Sequence, residues 1–190
     1  MATPTTDDQE ELLLSCRYGE LDDVKEFVTK FGAEALADVR DANGNCVLHM
    51  ACGNGHLDLL NYLLPLVPAT LLAARNEAQS TPLHWAAVNA HLDIAQVLVK
   101  FSGGPGVDLI DIKNAAGRTP LGEAELAGWD EGATWLVQMM KLDSENNNAE
   151  NETDPVEGED TLDATAVQDM EVEIEDADGG VAKMTISGGQ

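Results

Sequence analysis

Basic residues and aromatic residues are both scarce in this sequence. Only 10 of the 190 residues are Lys or Arg, against 35 Asp and Glu, so the formal net charge is −25. Such a charge repels nucleic acid and anionic membranes, so we expect a basic partner and no direct binding of nucleic acid or membrane. Aromatic residues make up 4 % of a composition that is 44 % apolar. That balance favours a core of Leu, Val and Ala between closely packed helices.

Cysteines are few, and neither a long apolar run nor a segment resembling a secretion signal is found. Residues 1–11 are polar and acidic, which is unlike a signal peptide. No apolar run approaches the roughly 20 residues that span a bilayer. Three cysteines, an odd number, in such a chain indicate reduced thiols. We therefore expect a protein of the cytoplasm and the nucleus.

The acidic residues divide the chain into two parts of different composition. Residues 1–141 contain 20 acidic and 9 basic side chains, whereas residues 142–190 contain 15 acidic side chains and one basic. The second part is rich in Glu, Asp, Asn and Thr and cannot bury enough apolar surface to offset its chain entropy. We predict a disordered N-terminal segment (1–11), a folded domain (12–141) and a disordered acidic tail (142–190).

The folded part repeats one pattern four times. Its copies begin at Leu12, Leu48, Leu83 and Leu121, and the second reads L-H-M-A-C-G-N-G-H-L-D-L-L-N-Y-L-L. Corresponding turn positions, at residues 19, 55, 90 and 128, are 36, 35 and 38 residues apart. A period of this size predicts an all-α solenoid of about four helix-turn-helix repeats.

The motif Thr81-Pro82-Leu83-His84-Trp85-Ala86 identifies the type of repeat. It resembles the T-P-L-H-x-A signature of ankyrin repeats, and Thr119-Pro120-Leu121 repeats its first half. Thr81 suits a helix N-cap, and Pro82 suits the first helical position. The resemblance covers roughly residues 10–141.

Two positions depart from the repeat. Ala90 replaces the turn glycine, and a left-handed residue with a Cβ costs about 1–2 kcal/mol. Gln79 replaces the loop glycine found at Gly44 and Gly117. We therefore expect this loop tip to differ in shape from the other two.

Four potential zinc ligands fall close together in the pattern Cys46-x2-His49-x2-Cys52-x3-His56. The repeat gives these residues a structural explanation. His49 and His56 align with His84 and His91 of the next repeat, whereas the cysteine positions hold Thr81 and Ala87 there. We expect these histidines to form loop and helix-turn hydrogen bonds, and we predict no metal site and no cofactor. Nucleophile-elbow, phosphate-loop and dinucleotide motifs are all absent, which argues against an enzyme.

In ankyrin-repeat binders, the loop tips and the inner helices form a concave groove. The resemblance places partner-binding residues after the box histidine and before the turn glycine, with carboxylates at the flanks. These positions are Arg17, Tyr18, Met50, Asn54, Glu77, Trp85, Val88, Asn89 and Glu123. The same alignment includes Leu14, Gly53, Leu126, Ala127 and the flanking Glu125.

The tryptophans and the tail have more than one interpretation. Trp85 is either a groove anchor or packing between repeats. Trp129 and Trp135 are expected to close the core of the last repeat. In the tail, apolar residues alternate with other residues around Val172 and Met184, which indicates a weak hairpin, a strand that forms only on a partner, or a solvated acidic chain.

The repeats and the acidic tail together resemble small fungal ankyrin-repeat chaperones dedicated to a ribosomal protein. This resemblance implies that the groove binds an N-terminal helix of a small-subunit KH-domain protein. It also implies that the acidic surface prevents aggregation of that protein before pre-ribosome assembly. The chain is expected to be a monomer. The alternative is an ankyrin regulator that masks or inhibits a kinase or a transcription factor.

Overall fold

The computed structural model describes residues 3–150, 170–175 and 181–186, with side chains for residues 3–142. The chain divides into two compact units, Met1–Thr153 and Asp154–Gln190. The helices of the first unit are α1 (Thr6–Tyr18), α2 (Leu21–Phe31), α3 (Val47–Gly53), α4 (Leu57–Leu63), α5 (Pro82–Val88), α6 (Leu92–Lys100), α7 (Asp108–Asp111), α8 (Pro120–Leu126) and α9 (Asp130–Glu150). Short 3-10 helices follow α2 and α4, at Ala33–Ala37 and Ala69–Ala73.

The four repeats are the helix pairs α1/α2, α3/α4, α5/α6 and α8/α9. The inner helices α1, α3, α5 and α8 pack against one another in chain order, and α4 packs against α6 in the outer layer. Close packing of the inner helices follows from small side chains, which are fully buried at Ala51, Cys52, Ala86, Ala87 and Ala124. The predicted four-repeat solenoid is confirmed.

The core is a single cluster dominated by leucine. It runs through all four repeats, and each repeat contributes side chains from both of its helices. Among the described residues, every buried side-chain nitrogen and oxygen has a hydrogen-bond partner. The largest fully buried side chains are Leu36, Leu48, Leu59, Leu60, Leu63, Leu72, Leu83, Ile94, Leu98, Leu109, Ile110 and Leu136.

The first repeat begins earlier than the sequence analysis predicts. Helix α1 starts at Thr6, so the prediction of a disordered segment over residues 1–11 is wrong for its second half. Thr5 caps the helix, since its hydroxyl accepts from the Asp8 N–H at 3.2 Å and its own N–H donates to the Asp8 carboxylate at 2.9 Å. This reciprocal capping box is a sequence signal for the start of a helix, which an argument from composition alone does not detect.

The last helix continues past the predicted domain boundary at residue 141. Helix α9 runs from Asp130 to Glu150 and is the longest helix described. Buried Leu136 anchors its first half against the core, and Trp129, just before the helix, is buried as expected. Trp135 is half-buried, with Lys100 Nζ 5.7 Å from its ring centre. Over the described residues, no helix has the length and apolar character that crossing a bilayer requires.

The turns between inner and outer helices share a left-handed residue. The φ angle is 77° at Gly19, 76° at Gly55 and 72° at Gly128. Ala90 occupies the same position in the third repeat with a φ of 58°. The repeat geometry therefore imposes this conformation on a residue with a Cβ, at the predicted cost of about 1–2 kcal/mol.

The loop tip at Gln79 keeps the shape of the other two, so the predicted difference is wrong. Gln79 has a φ of 57°, against 75° at Gly44 and 74° at Gly117. Its N–H donates to the Asn76 carbonyl at 2.8 Å, and the Asn76 side chain accepts from the Ser80 N–H at 2.9 Å. These bonds close the turn tightly enough to hold a non-glycine residue in the left-handed region.

Neighbouring loop tips are bonded to each other through the backbone. The Glu77 N–H donates to the Asn43 carbonyl, and the Ala115 N–H donates to the Ala78 carbonyl, both at 2.9 Å. Each tip therefore has its orientation set by the preceding one. The three tips form a continuous rim along one edge of the solenoid.

The second unit contains two antiparallel strands, β1 (Met170–Glu175) and β2 (Val181–Ile186). Their register pairs Met170 with Ile186 and Glu175 with Val181. Of the interpretations of the tail, the hairpin agrees with the antiparallel pairing of these twelve residues. The prediction of a disordered tail from residue 142 is wrong for residues 142–150, which belong to α9. For the remainder of the tail outside the two strands, the prediction lies outside the described residues.

Candidate protein-binding groove

The box histidines join each middle repeat to the loop that follows it. His84 Nδ1 accepts from the Thr81 N–H at 3.1 Å and lies 2.8 Å from the Thr81 hydroxyl. On the other side of the ring, Nε2 lies 3.1 Å from the Arg118 carbonyl oxygen, 34 residues along the chain. Since a carbonyl only accepts and an N–H only donates, His84 is neutral, with its proton on Nε2.

His49 makes the same bonds one repeat earlier. Its Nδ1 accepts from the Cys46 N–H at 3.2 Å, and its Nε2 donates to the Ser80 carbonyl at 2.9 Å. Burial lowers the pKa of His49 from 6.5 to about 4 and also lowers the pKa of His84. Protonation of either Nδ1 would place two donors face to face, in agreement with the direction of both shifts.

The turn histidines bond in the opposite direction along the solenoid. His56 Nε2 donates to the Arg17 carbonyl at 2.8 Å, and His91 Nε2 donates to the Gly53 carbonyl at 3.3 Å. The rings lie over the turn glycines, where a Cβ on Gly19 would come within 2.6 Å of His56. These contacts are the loop and helix-turn hydrogen bonds expected from the sequence.

The apparent zinc ligands are therefore used in packing. His49 and His56 bond to carbonyls in different repeats, and Cys46 and Cys52 are fully buried free thiols. Burial raises the pKa of both cysteines, which disfavours the thiolate form that binds metal. Within the part of the chain that the structure describes, no three His, Cys, Asp or Glu side chains are grouped to hold a metal ion.

Two adjoining hollows lie along the inner helices and the loop rim. We call them together the groove. The first has a volume of about 570 Å³ and is lined by Thr6, Gln9, Glu10, Leu13, Leu14, Arg17, Arg40, Asp41, Ala42 and Met50. The second, of ≈ 330 Å³, is lined by Arg17, Asp41, Asn43, Asn45, Met50, Gly53, Asn54, Trp85 and Asn89. The shared residues Arg17, Asp41 and Met50 make the two hollows continuous.

Five of the nine predicted partner-binding residues line the groove. They come from three successive inner helices and the turns that follow them, and they are Arg17, Met50, Asn54, Trp85 and Asn89. Tyr18 and Val88 line neither hollow but are exposed at the ends of α1 and α5, with exposed fractions of 66 % and 49 %.

Trp85 combines the two roles considered for it. Its indole is half-buried and fills the space above Gly53, where an added Cβ would come within 2.5 Å of the ring. It also contacts His49 edge to face, with ring centres 5.7 Å apart. One side of the ring therefore packs between repeats, and the residue also lines the second hollow.

Glu123 lines neither hollow of the groove, unlike its predicted position at the groove flank. Its side chain is 7 % exposed and accepts from Arg118 Nε at 2.9 Å and Asn114 Nδ2 at 2.6 Å. The fourth repeat has Gly122 at the box-histidine position, so Arg118 and Asn114 are held by this carboxylate. Glu77 is exposed on the loop rim and lines neither hollow.

Sequence reasoning missed the contribution of the first loop and of the start of α1. Asp41 is the main omission, because its carboxylate accepts from the Asn43 N–H, the Asn45 N–H and the Asn45 side chain, each at 2.8 Å. The run Asp41-Ala42-Asn43-Gly44-Asn45 is a strong turn signal. Thr6 and Glu10 were missed because they fell in the segment predicted to be disordered.

Comparison with known proteins agrees with this architecture. The family model for ankyrin repeats (three copies) matches residues 12–108. An ankyrin repeat-containing protein of Schizosaccharomyces pombe is 32 % identical over 119 residues, which span 63 % of this chain and 77 % of that protein. The ankyrin repeat-containing protein YAR1 of Saccharomyces cerevisiae is 28 % identical over 172 residues, which span 87 % of this chain and 84 % of YAR1.

A solved structure extends the likeness to three dimensions. It is the crystal structure of the yeast ribosomal protein Rps3 in complex with its chaperone Yar1. The match has a TM-score of 0.66 at 28 % identity and covers 71 % of this chain and 94 % of the matched chain. From the repeats, their histidine bonds and these matches, the chain belongs to the ankyrin-repeat family.

Proposed function

We propose that this protein is a chaperone that binds a ribosomal protein of the small subunit through its concave groove. The observation that carries the proposal is the likeness to YAR1, which extends over 87 % of this chain and 84 % of that protein. A shared ankyrin domain alone would match only the repeats. The solved complex of Yar1 with Rps3 supplies the class of client.

The groove suits a helix of the client. Its two continuous hollows follow the inner helices, and an α-helix with side chains is about 10–12 Å across. Exposed apolar side chains lie along these inner helices, at Leu14, Val88 and Leu126. An amphipathic helix binds such a surface by its apolar face.

The charge of the chain suits a basic client. The formal net charge is −25, and residues 142–190 contain 15 acidic residues and one basic. Proteins that bind ribosomal RNA present basic surfaces, which aggregate or bind RNA wrongly before assembly. An acidic chaperone covers those surfaces, and denser ribosomal RNA then displaces it. The protein would act as a monomer, in the cytoplasm and the nucleus.

Binding to purified Rps3 of Saccharomyces cerevisiae tests the proposal. We expect a one-to-one complex in isothermal titration calorimetry, with affinity that falls steeply as salt rises. Tyr18→Ala and Val88→Ala should each weaken it, because they remove exposed apolar surface at the ends of α1 and α5, next in sequence to the groove-lining Arg17 and Asn89. Leu142→Ala is the matched control, since Leu142 is 54 % exposed on α9.

Lysozyme, a basic protein without ribosomal function, serves as the competitor. Failure to bind Rps3, or equal affinity for lysozyme, would refute the client assignment. In that case a regulator of a kinase or a transcription factor becomes the better interpretation.

The tail has a separate test. A chain ending at residue 150 keeps every described helix and removes most of the acidic tail. We expect it to fold and to bind Rps3, but to suppress the aggregation of Rps3, measured by light scattering at low salt, less well than the full chain. Equal suppression by both chains would show that the groove alone protects the client.

A further inference from the structure

One face of α1 presents an acidic, an apolar and a basic side chain in that order along the helix. Glu10, Leu14 and Arg17 lie at positions i, i+4 and i+7, so they share a stripe of the helix, and all three line the first hollow. Two helical turns separate the charges, a rise of about 10 Å along the axis. The stripe therefore has an acidic end and a basic end.

Arg17 is an exposed basic residue that lines both hollows of this acidic chain. Its guanidinium makes no hydrogen bond or ion pair with any residue in the described part of the chain. By contrast, Lys25 pairs with Asp22, and Lys30 pairs with Asp8. Among the residues whose side chains are described, no carboxylate pairs with Arg17 at the junction of the two hollows.

The acidic residue that shares both hollows with Arg17 forms no ion pair with it. Asp41 lines both hollows, but its carboxylate accepts three hydrogen bonds from Asn43 and Asn45, which hold it within its own loop. Arg40 lines the first hollow and donates to the Ala37 and Val39 carbonyls, so it adds a second positive charge there. The basic end of the stripe is therefore suited to a carboxylate supplied from outside.

We propose that the first hollow binds a client helix with a defined order of charges. The helix presents a cation to Glu10, an apolar side chain to Leu14 and Met50, and a carboxylate to Arg17. This assignment rests on the proposed function and adds to it a recognition element within an otherwise basic client. It makes Arg17 a specificity-determining residue.

The order of charges also sets the direction of the bound helix. If the helix were reversed, its cation would lie beside Arg17 and its carboxylate beside Glu10. Like charges at both positions oppose that arrangement, whereas the apolar contacts alone would accept either direction.

Charge reversal at Arg17 separates this inference from simple acidic attraction. Arg17→Glu makes the chain more acidic by two charges, so attraction between net charges would strengthen the binding of Rps3. Under the proposal, it weakens binding by about tenfold, measured by isothermal titration calorimetry at fixed salt. Arg17→Gln, which keeps the length of the side chain and removes its charge, should weaken binding less.

Lys25→Glu is the matched control, since it makes the same charge change on α2, outside the groove. It should leave affinity unchanged or raise it. The double variant Glu10→Arg with Arg17→Glu keeps the net charge but reverses the order, and it should lose affinity as well. Circular dichroism and urea unfolding establish that each variant is folded.

Two failures are distinguishable. If the unaltered chain does not bind Rps3, the proposed function is wrong. If it binds, and Tyr18→Ala weakens binding but Arg17→Glu does not, the function stands and the charge-order inference is overturned.

Discussion

The two middle repeats and the two terminal repeats are stabilised by different chemistry. All four histidines lie in the middle repeats, and each donates to a backbone carbonyl in a neighbouring repeat. The terminal repeats instead contain charged contacts within the repeat, between Lys30 and Asp8 in the first and between Arg118 and Glu123 in the last.

This difference follows from the number of neighbours. A middle repeat is covered on both sides, so a polar side chain there is buried and must bond in a fixed geometry. A neutral histidine meets that need, because it accepts on one nitrogen and donates on the other. A terminal repeat has one face toward water, where Lys30 of the first repeat stays largely solvated. In the last repeat, buried Glu123 is instead compensated by Arg118 and Asn114.

Removing a buried box histidine should have the largest effect on stability. His84→Ala takes away the acceptor of the Thr81 N–H and the donor to the Arg118 carbonyl, and it leaves a cavity. We expect this change, and likewise His49→Ala, to lower the free energy of unfolding by about 3 kcal/mol. Urea denaturation followed by circular dichroism measures the loss.

Lys30→Ala supplies the comparison from the first repeat. Its ion pair with Asp8 is exposed, and such pairs contribute little, so we expect no measurable loss. If this change matched His84→Ala in effect, the contrast between middle and terminal repeats would not hold.

The second-largest predicted effect is a loss of stability on acidification, which arises in the middle repeats. The folded pKa of His49 is about 4, below its ordinary value of 6.5. Between these values the unfolded chain binds a proton that the folded chain does not, so stability falls as pH falls. We expect a loss of about 2 kcal/mol from His49 between pH 7 and pH 5, and a further loss from His84 in the same direction.

Urea denaturation at the two pH values checks this expectation, and His49→Gln is the matched variant. That variant should be less stable at pH 7 but should lose less between pH 7 and pH 5. An unchanged pH dependence in His49→Gln would exclude His49 as its source.

The smallest predicted effect concerns the turn of the third repeat. Ala90→Gly should raise the free energy of unfolding by about 0.5–1 kcal/mol, because glycine adopts the left-handed conformation without strain. The reverse change in the last repeat, Gly128→Ala, should lower it by a similar amount. A Cβ at Gly128 would meet no atom within 4 Å, so only the backbone conformation is tested.

Thermal unfolding of both variants measures these changes. A loss of stability in Ala90→Gly would show that the greater chain entropy of glycine in the unfolded state outweighs the strain.

Most of the fold was predictable because its signals are local and repeated. The Thr81-Pro82 start and the turn glycines each determine the backbone within a few residues, and the same pattern recurs at nearly constant spacing. The groove was predictable only in part. Alignment found Met50 and Trp85 but misplaced Glu123, because a residue aligned with Trp85 can bond to its own loop instead.

By itself, the sequence determined the number of repeats, the small residues between inner helices and the acidity from which we expect a basic partner. Tertiary structure decided how those residues are used. It holds Ala90 and Gln79 in a conformation that neither prefers, because contacts around each turn outweigh the local cost. It also brings Glu10, Arg17 and Asp41 to one hollow without an ion pair to Arg17 among the described side chains, since residues distant in sequence meet only once the repeats stack.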